Sequence, residues 1–139
     1  YIRKAIGGKP ERVKAQAPLK FVSDDGFEIL VGRSNAQNDE LTTKLARRTD
    51  YWLHTQKVHG SHVIIRCDGL EPPERTIEQA AALAAYYSQG REGGKIPVDY
   101  TMLRNVRKPS GALPGKVIYT EYKTLLVQAD ASLAARLKK

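Results

Sequence analysis

The residues best suited to chemistry or to ligand contact lie in one short stretch around the single tryptophan. Trp52 and all three histidines, His54, His59 and His62, fall within it. Indole and imidazole groups can stack on bases, hydrogen-bond phosphates or bind metals. Because side chains alternate along a strand, Asp50, Trp52 and His54 would share one face. That polar and aromatic face is typical of a contact surface, although Trp52 could equally belong to the core, with the two histidines at its edge.

A metal site or a hydrolytic centre could draw on the same side chains, but their spacing favours neither. Four residues separate His54 from His59 and two separate His59 from His62, which matches no standard zinc pattern. Asp50 and His54 could serve as an orienting group and a base, yet no nucleophile or oxyanion loop accompanies them. We therefore expect no catalytic residue, no metal site and no cofactor.

A second polar group occupies the corner between a predicted strand and a predicted helix. The guanidinium of Arg33 could bind a phosphate, while Asn35, Gln37 and Asn38 offer amides that suit base edges or sugar hydroxyls. These residues could instead form the turn and the cap, because Asn38 suits the start of a helix running to about Arg48. Both interpretations stay open on the sequence alone.

A third group is the basic loop between residues 100 and 119. Its cations are Arg104, Arg107, Lys108 and Lys116. Backbone amides at residues 110–112 could form an anion nest for a phosphate. The alternative is a plain hairpin loop with a solvated basic rim.

Composition points to a polyanionic partner. The chain has 139 residues, a net charge of +8 and a pI near 9.7. A domain this basic suits nucleic acid better than a membrane, because no apolar run approaches membrane length and no basic amphipathic helix stands out. Simple solubility is the alternative. The single cysteine, Cys67, lies in an apolar run and is expected to be buried. Because one cysteine cannot form an internal disulfide, the sequence gives no sign of an oxidising compartment and favours a cytoplasmic location.

The element pattern predicts a single α+β domain with a mixed, largely antiparallel β-sheet packed against two main helices. Two strands flank an Asp25-Gly26 hairpin turn, and a capping box at Thr76 should start an alanine-rich helix ending near Ser88. The remaining strands are expected at about 50–55, 62–67, 98–106, 116–121 and 123–127. Residues 1–18 are interpreted as a linker after a missing N-terminal region, 19–129 as the domain, and 130–139 as a helical tail that could stand apart.

Several ordered blocks of sequence resemble one known family, the NFACT-R domain. They are Gly32-Arg33 with Asn35 and Gln37-Asn38-Asp39, Asp50-x-Trp52-Leu53-His54, Gly60-Ser61-His62-Val63-Ile64-Ile65-Arg66, Val98-Asp99-Tyr100-Thr101, and Val106-x-Lys108-Pro109 with Gly111 and Pro114-Gly115. The resemblance covers about residues 19 to 129. One departure is Ser34, where asparagine is expected.

The resemblance implies a function that spacing alone does not. It implies the RNA-binding module of a ribosome quality-control factor, of the kind formerly called fibronectin-binding proteins in bacteria. Such factors bind large ribosomal subunits that carry peptidyl-tRNA and support template-free C-terminal tailing, mainly with alanine. The implied partners are large-subunit rRNA and tRNA, with no membrane partner; the sequence does not indicate the oligomeric state.

Together, these considerations give one set of expected RNA-binding residues: Arg33, Asn35, Gln37, Asn38, Trp52, His54, His59, Ser61, His62, Arg66, Arg104, Arg107, Lys108 and Lys116. Three alternatives remain: a protein-adhesion module of the fibronectin-binding type, a stand-alone nucleic-acid-binding protein, and a nuclease or metal hydrolase.

Overall fold

A computed structural model describes residues 17–56 and 58–139 of the chain. Most of the predicted linker, residues 1–16, lies outside the described residues. In chain order the elements are β1 (Leu19–Val22), β2 (Glu28–Val31), α1 (Asn35–Glu40), β3 (Tyr51–Thr55), β4 (Val63–Arg66), α2 (Glu74–Tyr86), β5 (Lys95–Met102), β6 (Val106–Arg107), β7 (Ile118–Tyr119), β8 (Lys123–Gln128) and α3 (Ala131–Leu137). Six strands form one sheet in the order β1-β2-β4-β3-β5-β8, and β6 pairs with β7. Each pairing among the described strands is antiparallel, and the predicted α+β class is confirmed.

The larger core lies between the back face of the sheet and helix α2. Strand residues such as Leu53, Val63 and Ile65 alternate toward this face and are fully buried. The helix contributes mainly alanines, whose small side chains let its backbone approach the sheet closely. Cys67 is buried in the same core, as predicted, and burial raises the pKa of its thiol to about 11.

The opposite, front face carries a second, smaller core. Trp52 and Ile64 alternate toward this side, where they pack with Leu30, Leu41 and Leu103. The cover consists of a π-helical turn, Leu41–Leu45, that continues from α1, together with residues of β6 and β7. This front face holds most of the residues with functional potential.

The prediction of a helix from Asn38 to about Arg48 was wrong about both of its ends. Helix α1 starts at Asn35, and its N-cap is Ser34, whose Oγ accepts from the Gln37 amide at 3.1 Å. The Gln37 side chain in turn accepts from the Arg33 amide at 2.6 Å. This Ser-x-x-Gln pattern is close to a capping box. The helical turns end at residue 45, so Arg48 lies beyond them.

Helix α2 also begins earlier than predicted, at Glu74, with Pro73 at the N-cap. Thr76 is not a cap, because its hydroxyl is used in tertiary contacts. It donates to Asp25 Oδ2 at 2.9 Å and lies 2.8 Å from Ser23 Oγ. These bonds tie the β1–β2 hairpin turn to the helix.

Three other boundaries differ from prediction. Strand β5 ends at Met102, because a 3₁₀ turn over Leu103–Asn105 follows it, and β7 is only two residues long. Helix α2 ends at Tyr86, not Ser88.

The predicted C-terminal helix is present, but it does not stand apart from the sheet. Its Ala134 and Leu137 are buried in the back core, and the Lys139 amide donates to Lys20 O at 2.9 Å. No helix in the described part of the chain is long and apolar enough to cross a membrane.

Candidate nucleic-acid interface

A cleft of about 510 Å³ opens on the front face between β3, α1 and the segment leading into β7. Trp52, His54 and Tyr119 are among the aromatic residues that line it. Exposed residues at its rim include His59 and Lys116. The cleft therefore combines an aromatic interior with a polar and basic edge.

Trp52 lies beneath this cleft as a core residue. Its side chain is 0% exposed, so it offers no free ring face to a base. The Tyr119 ring packs 4.6 Å away between centroids, and the His54 ring stacks nearly parallel at 5.8 Å. The interpretation of Trp52 as core is confirmed.

His62 also lies against the edge of the tryptophan ring, but it is only 2% exposed and not at an accessible edge as predicted. Trp52 Nε1 donates to its Nδ1 at 3.2 Å, and Thr42 Oγ1 lies 2.7 Å from the same atom. Its Nε2 lies 3.1 Å from the carbonyl oxygen of Gly115. Burial lowers the pKa of His62 to about 3, with the His54 ring adding to the shift. A neutral His62 thus holds the loop before β7 against the sheet.

Asn38 closes the other side of His62. Its Oδ1 accepts from the His62 amide at 3.1 Å, and the side chain is only 4% exposed. The amide packs directly on Gly32, where a Cβ atom would stand 1.9 Å from Oδ1. Glycine at position 32 is therefore required by close approach, and Asn38 is an internal support and not a helix cap.

Asp39 fixes the basic loop to helix α1. Its Oδ1 accepts from the Gly115 amide at 3.2 Å and forms an ion pair with Lys108 Nζ at 2.9 Å. The bonds from Lys108 and then from Gly115 lower the pKa of this carboxyl group. The loop is therefore held at a defined position beside the cleft.

A buried carboxylate, Asp99, organises the far side of the cleft. Its oxygens accept from Tyr119 Oη at 2.5 Å, Thr124 Oγ1 at 2.7 Å and Gln56 Nε2 at 2.8 Å. Desolvation, followed by the bond to Asp99, raises the pKa of Tyr119, which keeps the phenol protonated. The carboxylate thereby fixes both the Tyr119 ring and the Gln56 side chain.

His54 lies opposite Asp99 in the β3–β5 pairing and is half-buried. Desolvation lowers the pKa of its imidazole, so the ring is neutral at physiological pH. It forms the accessible end of the Trp52–His54 stack, because Trp52 itself is covered.

A second cleft of about 300 Å³ adjoins the first and shares four lining residues with it: Asn35, Asn38, His59 and Gly60. Its other lining residues include Arg33 and Ser61. The predicted residues of the strand–helix corner are thus brought beside the histidine segment.

A basic groove of about 380 Å³ lies where the π-helical turn faces the segment from Leu103 to Lys108. Four cations line it: Arg48, Arg104, Arg107 and Lys108. Within the described residues, no carboxylate lies within ion-pairing distance of Arg48, Arg104 or Arg107. Sequence reasoning missed Arg48, because it was assigned to the end of a helix.

The structure separates some predicted residues from these cavities. Gln37 and Arg66 line none of the three; Arg66 Nε instead lies 3.6 Å from Asp50 Oδ2. Of the three amides predicted to form an anion nest at residues 110–112, that of Ala112 is used internally, because it donates to Pro109 O at 3.1 Å.

Sequence reasoning also missed three residues that shape the interface, namely Asp39, Asp99 and Tyr119. A signal for Asp99 was available, since it precedes Tyr100 in a strand whose alternation places it on the front face. No group of three or more His, Cys, Asp or Glu side chains able to hold a metal ion occurs among residues 17–56 and 58–139.

Comparison with known proteins gives consistent results. Residues 18–121 match a family model described as the NFACT protein RNA binding domain. The chain is 45% identical to a Bacillus subtilis protein named Rqc2 homolog RqcH, over 94% of this chain and 24% of that protein. A protein of the same name from Streptococcus pneumoniae is 41% identical over 93% of this chain and 24% of its own length. The chain therefore spans about a quarter of the length of these curated relatives.

A solved structure is also similar. It is the C-terminal part of the fibronectin/fibrinogen-binding protein from Streptococcus suis, with a TM-score of 0.87 and 37% sequence identity. The match covers 99% of this chain and 57% of that one. The overall fold described above is thus shared with a solved structure.

Proposed function

Because the chain belongs to the family of NFACT protein RNA-binding domains, we propose that it is the RNA-binding module of a ribosome quality-control factor. Its place of work is the cytoplasm and its target is a large ribosomal subunit that carries peptidyl-tRNA. The RNA contacted is large-subunit rRNA, tRNA or both. The factor that contains it supports template-free C-terminal tailing with alanine.

The single observation that carries the RNA-binding proposal is the basic groove. Arg48, Arg104 and Arg107 repel one another, and no carboxylate among the described residues forms an ion pair with them. A groove of this kind attracts phosphodiester groups, and guanidinium groups bind phosphate oxygens in a fixed fork geometry. The two front-face clefts add two further cations, Arg33 and Lys116, to those that line the groove.

We also propose that the domain has no catalytic turnover of its own. His62 uses both ring nitrogens in internal contacts, and the Cys67 thiol is buried with a raised pKa. Neither group is placed to act as a general base or a nucleophile. Incubation of the purified chain with labelled RNA and Mg²⁺ should give no cleavage above background. Cleavage that disappears in His54→Ala would contradict the proposal.

The test of RNA binding is the salt dependence of affinity, measured on purified large ribosomal subunits and on single-stranded RNA. Electrostatic RNA binding weakens steeply as salt rises, because condensed counterions are released from the phosphates. A salt-insensitive affinity, or no affinity for either target, would overturn the proposal.

A second candidate function is protein adhesion, which the name of the similar Streptococcus suis protein suggests. Binding to immobilised fibronectin in the same salt series separates the two. Adhesion predicts retention of fibronectin at salt concentrations that release RNA.

A further inference from the structure

The larger front cleft contains polar groups that the internal network leaves unused. Asn38 is 4% exposed and lines both clefts. Its Oδ1 is committed to the His62 amide, which fixes the orientation of the side-chain amide because only the oxygen can accept. Among the described residues, its Nδ2 has no hydrogen-bond partner. Buried donors of this kind are rare in native proteins and call for a ligand or a water molecule.

Gln56 supplies a complementary acceptor in the same cleft. Its Nε2 donates to Asp99 Oδ1 at 2.8 Å, which fixes this side chain too. Its Oε1 has no partner among the residues that the structure describes. One donor and one acceptor, each held by an internal hydrogen bond of its own side chain, therefore line a single cavity.

The aromatic lining of this cleft suits a flat ligand. The half-buried His54 ring covers Trp52, and Tyr119 is held by Asp99. A cavity of about 510 Å³ lies within the usual range of small-molecule sites, about 300–1,000 Å³. Lys116 at the rim is placed to meet an adjoining phosphate.

We propose that this cleft is a binding site for one unpaired nucleobase of an RNA strand. The base stacks against His54 and Tyr119, and Asn38 Nδ2 and Gln56 Oε1 hydrogen-bond its edge. Its phosphate lies toward Lys116, and the strand continues to the basic groove. This inference rests on the proposed RNA-binding function and adds a site that takes a base rather than a phosphate. Phosphate alone would not use an acceptor such as Gln56 Oε1, because both would be acceptors.

The sole tryptophan makes the proposal directly testable. Trp52 forms part of the cleft, so its fluorescence reports occupancy without any label. The full 139-residue chain is titrated to millimolar concentrations with nucleoside 5′-monophosphates and, separately, with ribose 5-phosphate, which has no base. A saturable emission change with the nucleotides and none with ribose 5-phosphate is expected. An equal response to both, or no response to either, overturns the base site.

Substitutions in the cleft test whether the fluorescence response to nucleotides arises there. His54→Ala and Gln56→Leu should weaken the nucleotide response about 5- to 100-fold, the range that corresponds to one stacked or hydrogen-bonded base. Glu78→Ala, exposed on helix α2 behind the sheet, is the control and should behave like the wild type. Nucleotide binding that survives both cleft variants overturns the assignment.

RNA filter binding on the same samples separates this inference from the proposed function. If salt-dependent RNA binding persists while nucleotides give no emission change, the base site is wrong and the RNA-binding function stands. If neither binds, both are wrong. A saturable response to a peptide in place of nucleotides would also overturn the base site, because it would assign the cleft to a protein partner.

Discussion

Trp52 Nε1 donates to His62 Nδ1 at 3.2 Å, and this contact fixes the protonation of the imidazole. Indole can only donate, so Nδ1 must carry the lone pair and Nε2 must carry the hydrogen. The Nε2–H group therefore donates to the carbonyl oxygen of Gly115 at 3.1 Å. One tryptophan thus sets the tautomer with which a histidine holds the loop that borders the cleft.

We first predict that removing this donor weakens the domain. Trp52→Phe keeps an aromatic ring but leaves His62 Nδ1 with Thr42 alone, and should cost about 1–3 kcal/mol of unfolding free energy. Trp52→Ala should cost about 3–5 kcal/mol. Chemical denaturation measures both losses. The fluorescence emission of Trp52 in the wild type should be blue-shifted relative to that of a tryptophan exposed to water. Unchanged stability in Trp52→Ala would contradict the burial of this side chain.

The second prediction concerns pH. The pKa of His62 is about 3 in the folded chain and about 6.5 when unfolded, so the unfolded chain binds a proton more readily between these values. Its contribution to stability is therefore complete above about pH 6.5 and is lost as pH falls toward 3. Within that window the free energy of unfolding should fall by up to about 1.4 kcal/mol per pH unit. The total loss should reach about 2 kcal/mol by pH 5.

Denaturant midpoints measured between pH 7 and 5 test this dependence. His62→Gln should reduce the slope, and some slope should remain because the pKa of His54 is also lowered. His59→Gln is the matched control, since it removes an exposed imidazole outside the buried network. A variant His62→Gln with the full wild-type pH dependence would show that His62 is not the group responsible.

The third prediction concerns the contact between Gly32 and Asn38. In Gly32→Ala the new Cβ would meet Asn38 Oδ1 at 1.9 Å, so Asn38 must move away from the His62 amide. We expect a loss of about 1–3 kcal/mol, typical of overpacking, and a weaker nucleotide response. Gly93→Ala is the control, because its nearest neighbour would be at 3.4 Å and its φ is not positive. Equal stability of the two variants would show that the close approach is unimportant.

The fourth prediction concerns the basic groove. Arg104→Ala with Arg107→Ala should flatten the log–log salt dependence of binding to single-stranded RNA by about 1.4, at about 0.7 per phosphate contact. Lys108 should contribute less than the arginines, because Asp39 neutralises it at 2.9 Å.

The matched control for this pair is Lys138→Ala with Lys139→Ala. It removes the same charge from exposed side chains at the C-terminal end of the chain. Its slope should stay near that of the wild type. Equal flattening in both pairs would indicate a response to net charge rather than to the groove.

Much of the framework could be read from the sequence. The alternation that places Trp52 and Ile64 on one face and Leu53 and Val63 on the other follows from the two-residue period of a strand, which backbone geometry imposes locally. The hairpin at Asp25-Gly26 and the packing of an alanine-rich helix on the sheet follow from equally local chemistry. The NFACT-R family was also identified from the ordered blocks, and the family match over residues 18–121 confirms it.

The covering of the front face was decided only by the tertiary structure. Trp52 and His62 are buried because Gly115, more than fifty residues further along the chain, is held over them by His62 and Asp39. The predicted helix starts were wrong for a related reason. Thr76 and Asn38 have side chains that suit a helix cap, but these side chains form hydrogen bonds with residues distant in the sequence. Side-chain period is a property of neighbouring residues, whereas burial depends on which distant segment lies on top. The sequence therefore determined which face each residue occupies, and the packing of remote loops decided which of them remain accessible to RNA.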